Sequence, residues 1–271
     1  MNQEQFYNEV KSYKLIANKS LGQNFLINPD VCQKIVGALE LKENDNCLEI
    51  GAGLGSLSYQ LANQPAKSTL IDIDERMLSF LNDHFGKCEN IEVKRMNALK
   101  EDLSSYNKIV GNLPYYITSG IIECILLKAV NIECAVLMVQ KEVLVKLNSN
   151  EVSPLSMFLK YVGKIETVAN VSKVHFAPVP HVDSAVFKFT ANENIKNTDN
   201  PVLYKLISRL FLLRRKTILN NLTSVLGNKD ASNSILEEMN INPLLRPEQL
   251  DINFYINLLN VLKLKGFVNK I

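Results

Sequence analysis

The chain has 271 residues, 46% of them hydrophobic and 21% charged. This excludes a disordered or fibrous chain and suffices for one large domain with a smaller one beside it. Thirty Lys and Arg against 28 Asp and Glu leave only +2, so a polyanionic partner must be met by a local patch rather than by net charge.

The first residues carry Glu4 and Glu9 and no apolar run, unlike a secretory signal or an Arg-rich transit segment. Residues 3 to 17 read as a polar helix. A loop over 18 to 28 breaks periodicity at Gly22 and gathers Gln23, Asn24 and Phe25, as either a connector or a segment closing over a ligand. Asn28 then caps a helix with Pro29 in its first turn and Val31, Ile35, Val36 and Leu39 on one face. Asn46 to Ile50 is a short strand running into Gly51-Ala-Gly-Leu-Gly55 and a helix through Leu57 and Leu61. Glycines at such a turn let main chain approach a ligand, and a helix start offers N–H groups. Glu49 before the turn, and Ser56 where G-x-G-x-x-G needs glycine, favour S-adenosylmethionine over a nicotinamide cofactor.

A second strand, Ser68 to Ile73, carries Asp72 near its end. A carboxylate there suits the hydroxyls of a ribose, although Asp72 or Asp74 as a helix cap is the alternative. Ile91 to Met96 and Ile109 to Gly111 are the third and fourth strands. Thr118 to Leu127 is helical, and Cys134 to Val139 is a strand apolar enough to be buried on both faces. This alternation predicts a doubly wound parallel sheet. Helices to Leu147 and from Pro154 precede two stretches, 162 to 174 and 184 to 190, that alternate as antiparallel strands do. Between them, Pro178 and Pro180 stiffen a loop in which Phe176 is either a stacking surface or a hydrophobic plug.

Residues 191 to 200 read as a linker and the remainder as a helical domain. From Pro201 onward ten basic residues face five acidic ones, densest at Arg214-Arg-Lys216, which marks this part as polyanion-facing. Cys32, Cys47, Cys88, Cys124 and Cys134 are odd in number and lack C-x-x-C spacing, so they read as reduced core residues. His84, His175 and His181 have no partner at metal-ligand spacing, and no metal site is expected. No window reaches the ~18 apolar residues of a membrane span, and a cytoplasmic chain is expected.

The chemistry concentrates in IVGNLPYYIT, residues 109 to 118. Pro114 has no N–H to donate to a ladder, so the chain must turn at Asn112. At the carboxyl end of a parallel strand, this sets an amide, a proline-bounded carbonyl and Tyr115 side by side. Asn112 Oδ1 and the Leu113 carbonyl can accept both N–H bonds of an exocyclic amine while Tyr115 stacks on its ring. A strand-to-helix turn with a packed tyrosine is the bland alternative.

Together, GQNFL at 22 to 26, LEIGAGLGSL at 48 to 57, VGNLPYYIT at 110 to 118, VQKEV at 139 to 143, FAPVPHVDSAV at 176 to 186, and RRKTILNNL with RPEQL in the tail resemble the ribosomal RNA adenine N6,N6-dimethyltransferase family, in its small-subunit branch. The resemblance implies a Rossmann-like class I methyltransferase sheet with an antiparallel edge hairpin over residues 1–190, and a small C-terminal all-helical domain over 201–271. It implies S-adenosyl-L-methionine as donor. It also implies dimethylation of two adjacent adenosines in a hairpin loop of small-subunit rRNA, on an immature small ribosomal subunit, by a monomer.

On this resemblance, Gln23, Asn24, Leu26, Glu49, Gly51, Gly53, Ile73 and Ala98 would hold the donor, with Asp72 on its ribose and Asn97 beside its adenine. Asn112, Leu113, Pro114, Tyr115 and Phe176 would hold the target base, with Asn112 also beside the methyl. Arg214, Arg215, Lys216 and Arg246 would meet RNA. Asn97 stands where the family usually has aspartate, Asp72 replaces a more usual glutamate, and Tyr116 stands where asparagine is common. The rivals are the large-subunit branch, associated with macrolide resistance, and a catalytically weak RNA-binding or assembly factor of the same fold.

Overall fold

The computed structural model describes residues 3–12, 22–149 and 151–271. They divide into two compact units, 1–148 with 162–195, and 149–161 with 196–271. The sequence reading puts the helix beginning at Pro154 in the first domain; it clusters instead with the tail. The stretch 191 to 200, read as a linker, contains the last residue of a strand, a 3-10 turn at Glu193–Lys196 and the first residue of a helix.

The first unit begins with α1 (Gln3–Ser12), whose Phe6, Tyr7 and Val10 are buried. The expected continuation to residue 17 lies outside the described residues. A two-residue strand β1 (Phe25–Leu26) follows, where only a loop is expected, and then α2 (Pro29–Gly37), capped by Asn28 Oδ1 accepting from the Val31 N–H at 3.1 Å. Next come β2 (Asn46–Ile50), a one-turn α3 (Ser58–Leu61), β3 (Lys67–Asp72), α4 (Glu75–Phe85), β4 (Ile91–Arg95), β5 (Lys108–Asn112) and α5 (Thr118–Lys128). Then follow β6 (Cys134–Gln140), α6 (Lys141–Asn148), α7 (Pro154–Val162), β7 (Gly163–Val171), β8 (Phe176–Ala177) and β9 (Ser184–Ala191).

Seven strands form one sheet in the order β4-β3-β2-β5-β6-β9-β7. The first five are parallel, and β9 runs antiparallel to both β6 and β7. Every residue of β6 but the last is buried, as a near-continuous apolar strand at the centre of a sheet requires. The chain proceeds outward from β2 to β4, returns to β5 beside β2, and proceeds outward the other way. The crevice at the carboxyl ends of β2 and β5 is therefore the switch point where open α/β sheets bind ligands.

The second unit contains most of α7 and then α8 (Asn200–Leu210), α9 (Ile218–Leu226), α10 (Lys229–Glu238) and α11 (Ile252–Leu264). Thr217, Asn228 and Asp251 cap α9, α10 and α11 through their side chains, each such cap being worth about 1 kcal/mol. Its core includes Phe158 against Tyr204, ring centroids 5.1 Å apart, and the fully buried Tyr255, whose hydroxyl donates to the Pro247 carbonyl at 2.7 Å.

Candidate active site

A cavity of about 240 Å³ opens at the switch point. It is walled by the loop before β1, the glycine turn after β2, and the residues that follow β3, β4 and β5. Gln23, Asn24, Leu26, Glu49, Gly51, Gly53, Asp72, Ile73, Asn97, Ala98, Asn112, Leu113, Pro114 and Tyr115 all line it. The sequence does not reveal how each is held.

The glycine turn begins at Gly51, at φ +71, and its N–H and that of Ala52 donate to the Ile71 carbonyl at 2.9 and 3.0 Å. A side chain at Gly51 would sit in left-handed backbone, where L residues are strained. The expected helix through Leu57 and Leu61 is α3, but it starts only at Ser58, with Leu57 at its N-cap, and is one turn long. The donors offered here are therefore main-chain N–H groups of the turn, as when the Gly53 N–H donates to Asp72 Oδ2 at 2.9 Å.

Asp72 Oδ1 also accepts from the N–H groups of Ile73 and Asp74 at 2.7 and 2.9 Å. These bonds oppose, without cancelling, the burial that raises its pKa, and the neighbouring Asp74 carboxylate raises it further. A carboxylate offers about four acceptor positions, so Asp72 retains capacity beyond these three. Asp74 turns away, caps α4 through the Arg76 N–H at 3.1 Å, and binds the Arg76 guanidinium. Those bonds depress it to about 2. The helix-cap reading is thus met at Asp74, while the Asp72 carboxylate stays on the cavity wall and does not cap α4.

Glu49 is 2% exposed, and its Oε2 accepts from Ser58 Oγ at 2.6 Å. Burial pushes its carboxyl up to about 8 despite that bond, with Asp72 adding to the effect. Asn97 Oδ1 accepts from the Leu99 N–H at 3.0 Å. The other terminal atom of Asn97 is an amide nitrogen, a donor where an aspartate would present a second acceptor.

At the end of β5, the Leu113 N–H donates to the Met138 carbonyl at 3.0 Å, extending the ladder one residue beyond the strand. The Pro114 carbonyl then accepts from the Ile117 N–H and from Thr118 Oγ1, at 3.2 and 3.0 Å, which fixes the turn into α5. Asn112 Nδ2 donates to the Asn24 carbonyl at 3.0 Å. This bond settles the orientation of the amide and keeps Oδ1 as its acceptor end. The Tyr115 hydroxyl lies 2.9 Å from Oγ of the buried Ser184, which ties the ring to the start of β9.

Phe176 does not line the cavity. It is 1% exposed, sits in β8 opposite Leu26, and belongs to the main core. The plug reading therefore describes it, and the stacking role is corrected: pairing with β1 turns the ring inward. The exposed aromatic at the cavity is Tyr116, 56% exposed and lying beside Gly22. Ser58 carries no signal in the sequence that marks it as support for the site, and the motifs that contain Gly22 and Ser184 do not show their contacts with Tyr116 and Tyr115.

In the second unit, Arg214, Arg215 and Lys216 are exposed. Arg214 donates to Glu151 Oε1 at 3.0 Å and to the Val152 carbonyl at 3.3 Å. The Leu245 carbonyl accepts from the Ile218 N–H at 2.6 Å, which brings the main chain before Arg246 alongside that after Lys216. Among the described residues, no group of three His, Cys, Asp or Glu side chains is placed to hold a metal ion, and no helix is long and apolar enough to cross a membrane.

Comparison with known proteins gives a consistent result. The chain is 36% identical to ribosomal RNA small subunit methyltransferase A of Ligilactobacillus salivarius, over 95% of this chain and 94% of that one. It is 35% identical to the protein of the same name from Bacillus pumilus, over 94% of each. Among solved structures it is similar to a dimethyladenosine transferase from Plasmodium falciparum, with a TM-score of 0.74, 29% identity, and coverage of 88% of this chain and 97% of that one. It also resembles the 23S rRNA methyltransferase ErmE, with a TM-score of 0.62, 25% identity, and coverage of 89% and 100%. The family described as ribosomal RNA adenine dimethylase matches residues 15–260, and the chain belongs to it.

Proposed function

We propose that this chain transfers methyl groups from S-adenosyl-L-methionine to the N6 amino groups of adenosines in small-subunit rRNA. The observation that carries the reading is the orientation of Asn112. Its Nδ2 is committed to the Asn24 carbonyl, so Oδ1 remains as the acceptor, in one cavity with the Pro114-bounded turn, Tyr115 and Asp72.

The residues present fit a donor of this class. Asp72 supplies a carboxylate for a ribose, and Ile73, 45% exposed, offers apolar surface to a flat heterocycle. Gly51 lets main chain come close, and Gln23, Asn24, Leu26, Glu49, Gly53, Asn97 and Ala98 complete the enclosure. When bound, S-adenosyl-L-methionine supplies a methyl group on positively charged sulfur.

The amino nitrogen of adenine is a poor nucleophile because its lone pair is delocalised into the ring. Asn112 Oδ1 and the Leu113 carbonyl accept its two N–H bonds and hold the lone pair out of the ring plane. Tyr115, fixed by Ser184, gives the extruded base a stacking face. Positioning of this kind supplies much of the acceleration. No base is needed before attack, since the nitrogen proton becomes acidic only after alkylation. Arg215, Lys216 and Arg246 supply cations for phosphates, and Arg214 does so less readily because Glu151 already holds it.

The small-subunit substrate follows from the names of the relatives and from the RRK and RPEQL stretches. The test is incubation with methyl-labelled donor and small or large ribosomal subunits lacking the modification, followed by nucleoside analysis. N6,N6-dimethyladenosine from small subunits alone is expected. Label in large subunits would favour the macrolide-resistance branch, and tight RNA binding without transfer would favour an assembly factor.

A further inference from the structure

Residues 22–24 run along the cavity between its two functional ends. At one end, Gln23 Nε2 donates to Asp74 Oδ2 at 3.0 Å. At the other, the Asn24 carbonyl accepts from Asn112 Nδ2 at 3.0 Å. The segment is also tied to itself, since Asn24 Nδ2 donates to the Gly22 carbonyl at 3.0 Å. Beyond it, β1 is paired with β8, and the Ile27 N–H donates to the His175 carbonyl at 2.8 Å. Before it, Gly22 lies against the Tyr116 ring, where an added Cβ would come within 3.3 Å of Cδ1. An amide that must present its oxygen to a substrate is therefore oriented by a main-chain carbonyl, and one anchor of that carbonyl is a carboxylate at the start of α4.

We infer that Asp74 is a positioning residue for methyl transfer: through Gln23 it holds the strap 22–24 so that the Asn24 carbonyl keeps Asn112 Oδ1 turned toward the target amine. Asp74 does not line the cavity, so it acts through the strap and not by contact with either substrate. The Arg76 guanidinium donates to both of its oxygens, which keeps Asp74 an acceptor. The strap also joins the donor side to the acceptor side, because Asp74 follows Asp72 by two residues and its N–H bonds to Asp72 Oδ1. This inference rests on the proposed function for its consequence in catalysis, but not for the orientation of Asn112.

The test uses the full chain. Asp74→Ser keeps a side-chain oxygen to cap α4 but is too short to reach Gln23. Gln23→Glu sets two carboxylates against each other. Gln23→Glu with Asp74→Asn restores the bond in reverse, the new amide donating to the new carboxylate, while Arg76 gives up its Nη2 bond to that atom and keeps its Nε bond to the remaining oxygen. In protein labelled with [15N]asparagine, the Asn112 side-chain amide signal is assigned by its loss in Asn112→Ala. It should shift in Asp74→Ser and in Gln23→Glu without any ligand, and return in the double variant. Loss of one oriented hydrogen bond predicts a roughly 3- to 10-fold lower single-turnover transfer rate in both single variants. That rate should recover in the double variant, with KM for RNA unchanged. An unshifted Asn112 signal, a shifted signal with an unaltered rate, or a lowered rate not recovered by the double variant would overturn the inference. If no RNA is methylated by the parent chain, the function fails, and the amide signal still decides whether the strap orients Asn112.

Discussion

Replacing Asn97 by aspartate is expected to tighten binding of the methyl donor. The Asn97 oxygen is engaged by the Leu99 N–H at 3.0 Å, which leaves an amide –NH2 as the other terminal atom. We propose that the adenine of the donor lies beside Asn97; its amino group is itself a donor, so the two would set one N–H group toward another. A carboxylate would keep the Leu99 bond with one oxygen and accept from the adenine with the other, and that second bond would be charge-assisted. Such bonds contribute ~1.5–3 kcal/mol when buried. Asn97 is only half-buried, so about 1–2 kcal/mol, or roughly 5- to 30-fold in Kd, is the working expectation. Calorimetry with S-adenosylhomocysteine at fixed pH and salt measures it. A second ligand with hypoxanthine in place of adenine provides the control: its exocyclic 6-oxo oxygen accepts where the adenine amino group donates, so Asn97→Asp should weaken its binding relative to the parent. Equal affinities of parent and variant for the adenine ligand would refute the reasoning, as would an equal gain with the hypoxanthine ligand.

Glu49, raised to about 8 by burial, holds its proton in the folded chain at neutral pH, whereas an unfolded chain loses it near ~4.3. The stability it contributes is full below the unfolded value and is lost as pH rises to the folded one. Between about pH 5 and pH 8 the parent's Tm should therefore fall more steeply than that of the permanently neutral Glu49→Gln; parallel profiles would contradict this. Arg215→Ala with Lys216→Ala should weaken subunit binding without changing donor affinity, and flatten the dependence of log K on log salt by about two phosphate contacts. Arg214→Ala, already paired with Glu151, should change that slope less; an equal change would place all three on phosphates. Phe176→Leu should lower Tm while leaving the transfer rate within about threefold of the parent, the pattern of a core residue. A large loss of rate at unchanged stability would return Phe176 to the target base.

Much of the sheet is legible because the apolar runs from Cys134 and from Asn46 are short, dense and bounded by turns. Asn28, with Pro29 after it, likewise announces the start of α2 by local chemistry alone. The residues lining the cavity are legible for a similar reason: glycine, proline and amide positions at strand ends restrict the backbone directly. What is not legible is long-range. Nothing around Phe176 reveals that β8 pairs with β1, some 150 residues earlier in the chain, and that pairing alone turns the ring into the core. The bonds from Tyr115 to Ser184 and from Gln23 to Asp74 are equally non-local. The assignment of α7 to the second unit depends on packing of Phe158 against Tyr204, which periodicity along a single helix does not encode. At Asp72 and Asp74 the sequence offers two candidate caps for α4, and only the bonds to Gly53 and Arg76 show that Asp74 is the one that caps.

The central claim is that Asn112 presents its oxygen to the amine that is methylated. The most direct measurement compares Asn112→Ala with the parent chain for donor affinity by calorimetry and for methyl transfer to small ribosomal subunits in a single turnover. Donor binding should stay within about threefold of the parent and transfer should fall ~10²-fold or more, the scale of losing an oriented acceptor at a reacting group. Transfer at the parent's rate by Asn112→Ala would contradict the claim.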